Sequence, residues 1–299
     1  MYDIVIIGAG PAGMTAALYA ARANKKVLVL EALNYGGQII NTTNIENYPA
    51  EENITGFDFA TKLYNQITKL GVKVELEKVI NINSNVNYKE IKTEENTYQA
   101  KTIIIATGLE NRRLDLENEK ELTGKGISYC ATCDGALYKD KITAVVGGGN
   151  TALEDALYLS NICSKVYLIH RRDTFRADQI TIDKVLKKDN IEIKYNSIIT
   201  KINKNEYLDN IEINNNETLP INGLFIAIGK IPNCSFINGL IETDESGYIK
   251  SNELCHTNIE GIFVAGDIKS KTLNQLVTAT SDGAIAATEA INYLNKEII

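Results

Sequence analysis

The sequence has no excess of positive charge, no long apolar run and no dense set of cysteines, and each absence removes a class of function. Acidic residues number 38 against 31 basic ones, for a formal charge of −7, whereas a general binder of nucleic acid or anionic membrane carries a basic surface. No segment reaches the roughly 18–20 uninterrupted apolar residues of a membrane span. The N-terminus enters its first strand at once, without the basic segment, apolar stretch and cleavage site of a secretory signal, so a cytoplasmic location is expected. Five cysteines in 299 residues do not make a disulfide scaffold. Cys163, Cys234 and Cys255 stand alone and read as small buried apolar side chains. Neither His170 nor His256 adjoins a second cluster of ligating residues, so no metal site is expected.

What is present is a duplication. The 299 residues suffice for two domains of ordinary size, and 44% hydrophobic with 23% charged residues is the balance of a globular protein. Ile4-Val5-Ile6-Ile7 runs into Gly8-Ala9-Gly10-Pro11-Ala12-Gly13, and Ala144-Val145-Val146 runs into Gly147-Gly148-Gly149-Asn150-Thr151-Ala152. Each glycine turn opens an Ala/Leu-rich helix and is followed by a second apolar strand, Val27-Leu28-Val29-Leu30 or Val166-Tyr167-Leu168-Ile169. This order predicts parallel sheets in both halves. Residues 72–100 and 190–219 alternate apolar with polar and read as antiparallel strands, and each stretch leads into an apolar strand at 102–108 or 223–229. The expected fold is α/β: two Rossmann-like, doubly wound domains, with 113–241 inserted between 1–112 and 242–299. A final Ala-rich helix is predicted over 275–294.

In the first turn, Gly8 permits the tight bend, Gly10 lets backbone N–H groups approach a pyrophosphate, and Gly13 lets helix and strand pack closely. Glu31, at the end of the second strand, is placed to accept hydrogen bonds from ribose hydroxyls. The equivalent position of the second unit is His170, followed by Arg171, Arg172 and, further on, Arg176. A carboxylate there would repel a ribose 2′-phosphate, whereas guanidinium groups bind one. The first site is therefore expected to take a nucleotide without that phosphate, such as FAD, and the second to prefer NADPH. Between them, Cys130 and Cys133 are spaced to close a disulfide across one turn and to exchange with other disulfides. Asp134 follows directly and suits the proton transfer such chemistry needs, although Asp-Gly is also a common turn pair.

Over its whole length the chain resembles the bacterial-type, low molecular weight thioredoxin reductases, within the pyridine nucleotide-disulfide oxidoreductases. The shared residues are the two glycine turns, Gly36-Gly37-Gln38, Cys130-Ala131-Thr132-Cys133-Asp134-Gly135, His170-Arg171-Arg172-Asp173 with Arg176-Ala177, and Gly266-Asp267. The resemblance implies a homodimer that passes electrons from NADPH through FAD to the Cys130–Cys133 disulfide and then to thioredoxin. It implies that Cys133 lies nearer the flavin, that Cys130 attacks the partner disulfide, and that Asp134 is the acid/base. It assigns FAD to Gly8, Gly10, Pro11, Ala12, Gly13, Glu31, Gly36, Gly37, Gln38, Asn47, Ala106, Thr107, Gly108, Gly266, Asp267 and Gln275. NADPH falls to Gly147, Gly149, Asn150, Thr151, His170, Arg171, Arg172 and Arg176. It also implies a large rotation of the inserted domain on its two connections. Two departures stand in the C-terminal flavin region: Asn274 replaces an arginine common in the family, and Thr280-Ser281 replaces an Ala-Gly pair. An NADPH–ferredoxin flavoprotein of the same fold leaves the cysteine pair unexplained. A ferredoxin-fed thioredoxin reductase leaves the second glycine turn and its arginines unexplained. A non-catalytic redox sensor would need an effector module, and none is visible.

Overall fold

The computed structural model of the chain describes residues 1–42, 44–51 and 53–296. The chain folds as two units, Met1–Glu110 with Ile231–Ile299, and Asn111–Lys230. The first unit begins with β1 (Tyr2–Ile7), whose Ile4-Val5-Ile6-Ile7 core is buried, as β-branched residues of a parallel strand covered on both faces should be. Then come α1 (Pro11–Arg22), β2 (Val27–Glu31), α2 (Gly56–Lys69), β3 (Lys73–Leu76), β4 (Val79–Ser84), β5 (Lys89–Thr93) and β6 (Thr97–Ile105). α2 starts where Thr55 Oγ1 accepts the Asp58 N–H at 3.0 Å, and it buries Ala60, Leu63 and Ile67 at helical spacing.

β7 (Leu109–Asn111) leads into the second unit. There follow α3 (Glu119–Leu122), β8 (Ile127–Ser128), α4 (Ala131–Asp134), β9 (Ile142–Gly147), α5 (Asn150–Ser160), β10 (Lys165–Ile169), α6 (Gln179–Leu186), β11 (Ile191–Lys194), β12 (Ile199–Lys204), β13 (Leu208–Ile213), β14 (Glu217–Pro220) and β15 (Gly223–Ala227). β16 (Lys230–Pro232), beside β7 in a two-stranded ribbon, returns the chain to β17 (Ile262–Val264) and α7 (Leu276–Lys296).

The first sheet runs β3-β2-β1-β6 in parallel and forks at β6. The N-terminal part of β6 pairs antiparallel with β5, Gln99 opposite Glu90, while its C-terminal part pairs parallel with β17, Ile104 opposite Phe263. The second unit repeats the pattern as β11-β10-β9-β15-β8, all parallel, beside an antiparallel β12-β13-β14 sheet. α1 and α7 pack so closely that a Cβ on Gly283 would lie 2.2 Å from the Ala12 carbonyl oxygen.

Three expectations about the elements differ. β3 and β11 are parallel edge strands of the two main sheets, not members of antiparallel sets. The chain returns at Lys230/Ile231 rather than near Ile241, because Phe236, Ile237 and Ile241 are buried with Val5 and Ile7 in the first unit's core. Cys163 and Cys255 are buried as read, but Cys234 is only half-buried. Among the described residues no helix is long and apolar enough to cross a membrane.

Candidate active site

At the carboxyl end of β1 the chain turns through Gly8, whose N–H donates to the Leu30 carbonyl at 2.8 Å and whose φ is +107°. A Cβ on Gly13 would stand 1.9 Å from the Gly8 carbonyl oxygen, so this contact admits glycine only. Gly10 caps α1 in extended conformation, Pro11 takes the first helical position, and a Cβ on Gly10 would meet nothing within 4 Å. The open side of this turn faces the N–H groups and positive dipole end of α1, a setting suited to an anion. Glu31 braces the turn from below. Its Oε2 accepts the Ala9 N–H at 2.8 Å and its Oε1 accepts the Leu33 N–H at 3.0 Å.

Other expected residues gather at the same edge. Gly36 N–H donates to the Ala9 carbonyl at 2.8 Å, and a Cβ on Gly37 would come within 3.3 Å of Gly10 Cα. Gln38 reaches the Leu109 carbonyl at 3.4 Å, and Asn47 donates to the Gln275 side-chain oxygen at 3.0 Å. Ala106 N–H bonds the Ile7 carbonyl at 2.7 Å, leading into Thr107 and Gly108. Gly266 sits against Ala12, its Cβ position 2.8 Å from the Ala12 methyl. Two buried polar atoms here have no hydrogen-bond partner, Thr107 Oγ1 and Asp267 Oδ1. The Lys271 ammonium lies 3.4 Å from Asp267 Oδ1 and offsets its charge without bonding geometry. Orphaned buried oxygens are costly unless a ligand satisfies them, so the set fits a hydroxyl-rich, phosphate-bearing molecule. Asn274 and Ser281 are exposed.

The sequence reading missed a buried ionic group beneath this edge. Asp282 Oδ1 is 3.3 Å from the Lys269 ammonium and Oδ2 is 2.9 Å from that of Lys271, while Oδ2 also accepts the Gly266 N–H at 3.2 Å. Cys255 Sγ adjoins Lys269 at 3.5 Å. Burial pushes the Cys255 thiol up, and the neighbouring ammoniums of Lys269 and Lys271 oppose that rise. Nothing periodic marks these positions; the only signal was a pair of lysines just after Gly266-Asp267.

In the second unit a Cβ on Gly147 would stand 2.3 Å from the Ala227 carbonyl oxygen, and Gly149 caps α5 with open space before it. His170 is not on that open side. It is buried under the turn, where a Cβ on Gly148 would strike its ring at 2.1 Å, and its Nε2 lies 2.9 Å from the Thr174 carbonyl. The Arg176 N–H donates to the Gly148 carbonyl at 2.7 Å, and the Asn150 side chain brackets Asp178 through bonds of 2.9 and 2.7 Å. The loop carrying the arginines is thus tied to the turn. Among the described residues, Arg171, Arg172 and Arg176 have no carboxylate partner within 4 Å, and Thr151 is exposed.

Cys130 and Cys133 are joined, S–S 2.03 Å, with Cα atoms 5.4 Å apart. Cys130 caps α4, and its Sγ accepts the Cys133 N–H at 3.3 Å. Asp134 Oδ2 accepts the hydroxyl of Ser128 at 2.7 Å, and the Asp134 N–H bonds the Cys130 carbonyl at 3.2 Å. Burial, then the Asp134 charge, raises the neighbouring Tyr138 phenol. Tyr129, just before the pair, donates to Glu119 Oε1 at 2.6 Å, and burial with that bond raises its phenol strongly.

These features have close counterparts. Residues 2–283 match the pyridine nucleotide-disulphide oxidoreductase family. The thioredoxin reductase of Bacillus subtilis is 40% identical over 302 residues, covering 99% of this chain and 96% of that protein. That of Listeria innocua is 39% identical, covering 99% and 95%. The crystal structure of Lactococcus lactis thioredoxin reductase superposes with a TM-score of 0.86 at 39% identity, covering 99% of this chain and all of that one. The chain belongs to the pyridine nucleotide-disulphide oxidoreductase family and, within it, to the thioredoxin reductases.

Proposed function

We propose that this oxidoreductase passes electrons from NADPH, held by the unit 111–230, through FAD, held by 1–110 with 231–299, to the Cys130–Cys133 disulfide and on to thioredoxin. The observation that carries this reading is the bonded cysteine pair in a chain whose two glycine turns both present open helix N-termini. FAD, when bound, supplies the exchange between a two-electron hydride donor and a disulfide.

The chain's own residues do the rest. Gly10 leaves the α1 N-terminus open to a diphosphate, and Thr107 Oγ1 and Asp267 Oδ1 are oxygens that ribitol hydroxyls would satisfy. Gln38 follows Gly37, which packs on Gly10, and the hydrogen-bonded pair Asn47–Gln275 would add polar groups for the flavin. Gly149 and Asn150 open α5 for the second diphosphate, and the unpaired guanidinium groups of Arg171, Arg172 and Arg176 clamp a 2′-phosphate. Cys130 is the attacking sulfur, since the Cys133 N–H already points at its Sγ and stabilises negative charge there. Cys133 resolves the mixed disulfide, and Asp134 moves the proton. A cytoplasmic homodimer completes the proposal; unpaired Cys163, Cys234 and Cys255 suit a reducing compartment.

The test is an anaerobic titration of FAD-loaded protein with NADPH and, separately, NADH, followed by visible absorbance. Bleaching at much lower NADPH than NADH, then reoxidation by thioredoxin disulfide that Cys130→Ser abolishes, is the expected result. Bleaching by neither nucleotide would overturn the NADPH assignment in favour of a ferredoxin-fed enzyme.

A further inference from the structure

Ser128 ends β8, two residues before the cysteine pair, and is 4% exposed. Its Oγ lies within hydrogen-bond distance of three partners, all inside the second unit. It donates to Asp134 Oδ2 at 2.7 Å, adjoins the Cys130 carbonyl at 3.2 Å, and accepts the Cys130 N–H at 3.0 Å. The strand behind it is fixed, because Ser128 stands opposite Phe225 of β15 in parallel register and Ile127 and Phe225 are buried. One buried hydroxyl therefore joins the attacking cysteine's backbone to the carboxylate expected to handle its protons.

We propose that Ser128 is a positioning residue for disulfide interchange: by donating to Oδ2 it fixes the Asp134 carboxyl beside the dithiol and leaves Oδ1 as the oxygen that carries the proton. A protonated carboxyl accepts on its carbonyl oxygen and donates from the other, so an O–H directed at Oδ2 selects Oδ1–H. This rests on the reading of the chain as a dithiol reductase of thioredoxin.

The sequence of steps balances from the reduced pair, with Cys130 as thiolate, Cys133 as thiol and Asp134 as acid. Cys130 Sγ attacks one sulfur of the partner disulfide. The Cys130–partner S–S bond forms, the partner's own S–S bond breaks, and the leaving sulfur takes the Oδ1 proton. The Asp134 carboxylate then takes the Cys133 proton, and Cys133 Sγ attacks Cys130 Sγ. The Cys130–Cys133 bond closes, the second partner sulfur leaves with its electron pair, and Asp134 returns the proton to it. The partner gains two protons and two electrons, and the pair ends oxidised beside an ionised Asp134. A rotated or tilted carboxyl would miss each transfer.

The experiment compares FAD-loaded parent, Ser128→Ala, Ser128→Thr, Asp134→Asn and the Ser128→Ala/Asp134→Asn double variant. Turnover of oxidised thioredoxin is measured alongside NADPH oxidation by ferricyanide, which does not use the dithiol. General acid catalysis contributes roughly 100-fold or more, and Ser128→Ala is expected to cost about 10-fold or more of thioredoxin turnover. Ferricyanide reduction should stay within about 2-fold, and threonine should restore most of the loss, since it keeps the hydroxyl. In the Asp134→Asn background the serine change should cost less than about 2-fold, because the transfer it orients is already gone. An equal loss in both backgrounds, or none in either, would overturn the positioning role. Parent protein that reduces ferricyanide but never thioredoxin would instead overturn the functional reading on which it rests.

Discussion

Asp282 is a buried carboxylate whose removal the structure tolerates poorly. It lies between two ammonium groups, and the side chains of Lys269, Lys271 and Asp282 are only 10%, 11% and 11% exposed. Asp267, 3.4 Å from Lys271, is the only other carboxylate paired with either lysine among the described residues. Asp282→Asn keeps the shape and an acceptor for the Gly266 N–H but leaves two buried cations facing one distant carboxylate. Removing one partner of a buried pair costs about 3–5 kcal/mol, against the ~5–15 kcal/mol that holds a domain together. For a unit of this size that is a fall in midpoint of roughly 6–20 °C at about 2–4 °C per kcal/mol. Thermal unfolding followed by far-UV circular dichroism on flavin-free protein reads it directly, without stabilisation by bound ligand. Lys269→Met added to Asp282→Asn should recover part of the loss, since it removes one of the two uncompensated cations while the asparagine keeps an acceptor for the Gly266 N–H. A drop below about 1 kcal/mol for Asp282→Asn, or a double variant no better than the single one, would refute the reasoning.

Gly13→Ala should prevent folding of the first unit, because its methyl would lie 1.9 Å from the Gly8 oxygen, whereas Gly10→Ala should fold within about 1 kcal/mol of the parent. FAD affinity should nevertheless fall at least ~10-fold in Gly10→Ala by fluorescence titration, since the methyl occupies the open side of the turn. Arg171→Ala and Arg176→Ala should each raise the KM for NADPH roughly 10-fold with little change for NADH, the worth of a charged hydrogen bond; equal losses for both nucleotides would reject 2′-phosphate recognition. Burial, reinforced by Glu154, raises the half-buried Asp155 carboxyl from 3.8 to about 7. The folded chain therefore holds a proton that the unfolded chain releases, so this site's contribution falls as pH rises through that window and stays low above it. Asp155→Asn should stabilise by roughly 1–3 kcal/mol at pH 8, allowing for partial exposure, and by less than about half as much at pH 5. Denaturant unfolding at the two pH values checks it, and equal gains would contradict the assignment.

The first glycine turn was legible because its glycines are forced. No other residue fits Gly13 against Gly8, and a strand buried on both faces admits only an unbroken apolar run such as Ile4-Val5-Ile6-Ile7. The cysteine pair was legible from spacing alone. β3 and β11 were misread for one shared reason. Each is an edge strand that is nowhere fully buried, so its residues alternate as in an antiparallel ribbon, while its partner is chosen by the helix before it. The return of the chain at Lys230 was hidden because Phe236 and Ile237 find their burial only in the assembled first core. Ser128 and Asp282 lay beyond reach for another reason. A buried polar residue is defined by the partners that satisfy it, and the partners of Asp282 lie 11 and 13 residues away with no repeat connecting them.

The two glycine turns also differ in a way that explains their second and least obvious letter. Where the second strand ends in Glu31, the carboxylate reaches up to the Ala9 N–H, and the middle residue of the turn can carry a methyl, which is fully buried. Where it ends in His170, the imidazole fills the space under the turn, and the middle residue must be Gly148, since any Cβ would fall 2.1 Å from the ring. The pairs Ala9–Glu31 and Gly148–His170 are thus two solutions to one packing problem. Their chemical consequence is larger than their volume. A strand end whose carboxylate braces the turn in the first unit becomes a packing imidazole in the second, and the residues that follow carry the positive charges of Arg171, Arg172 and Arg176. Among the described residues none of those guanidiniums has a carboxylate within 4 Å, and the imidazole at the strand end adds none.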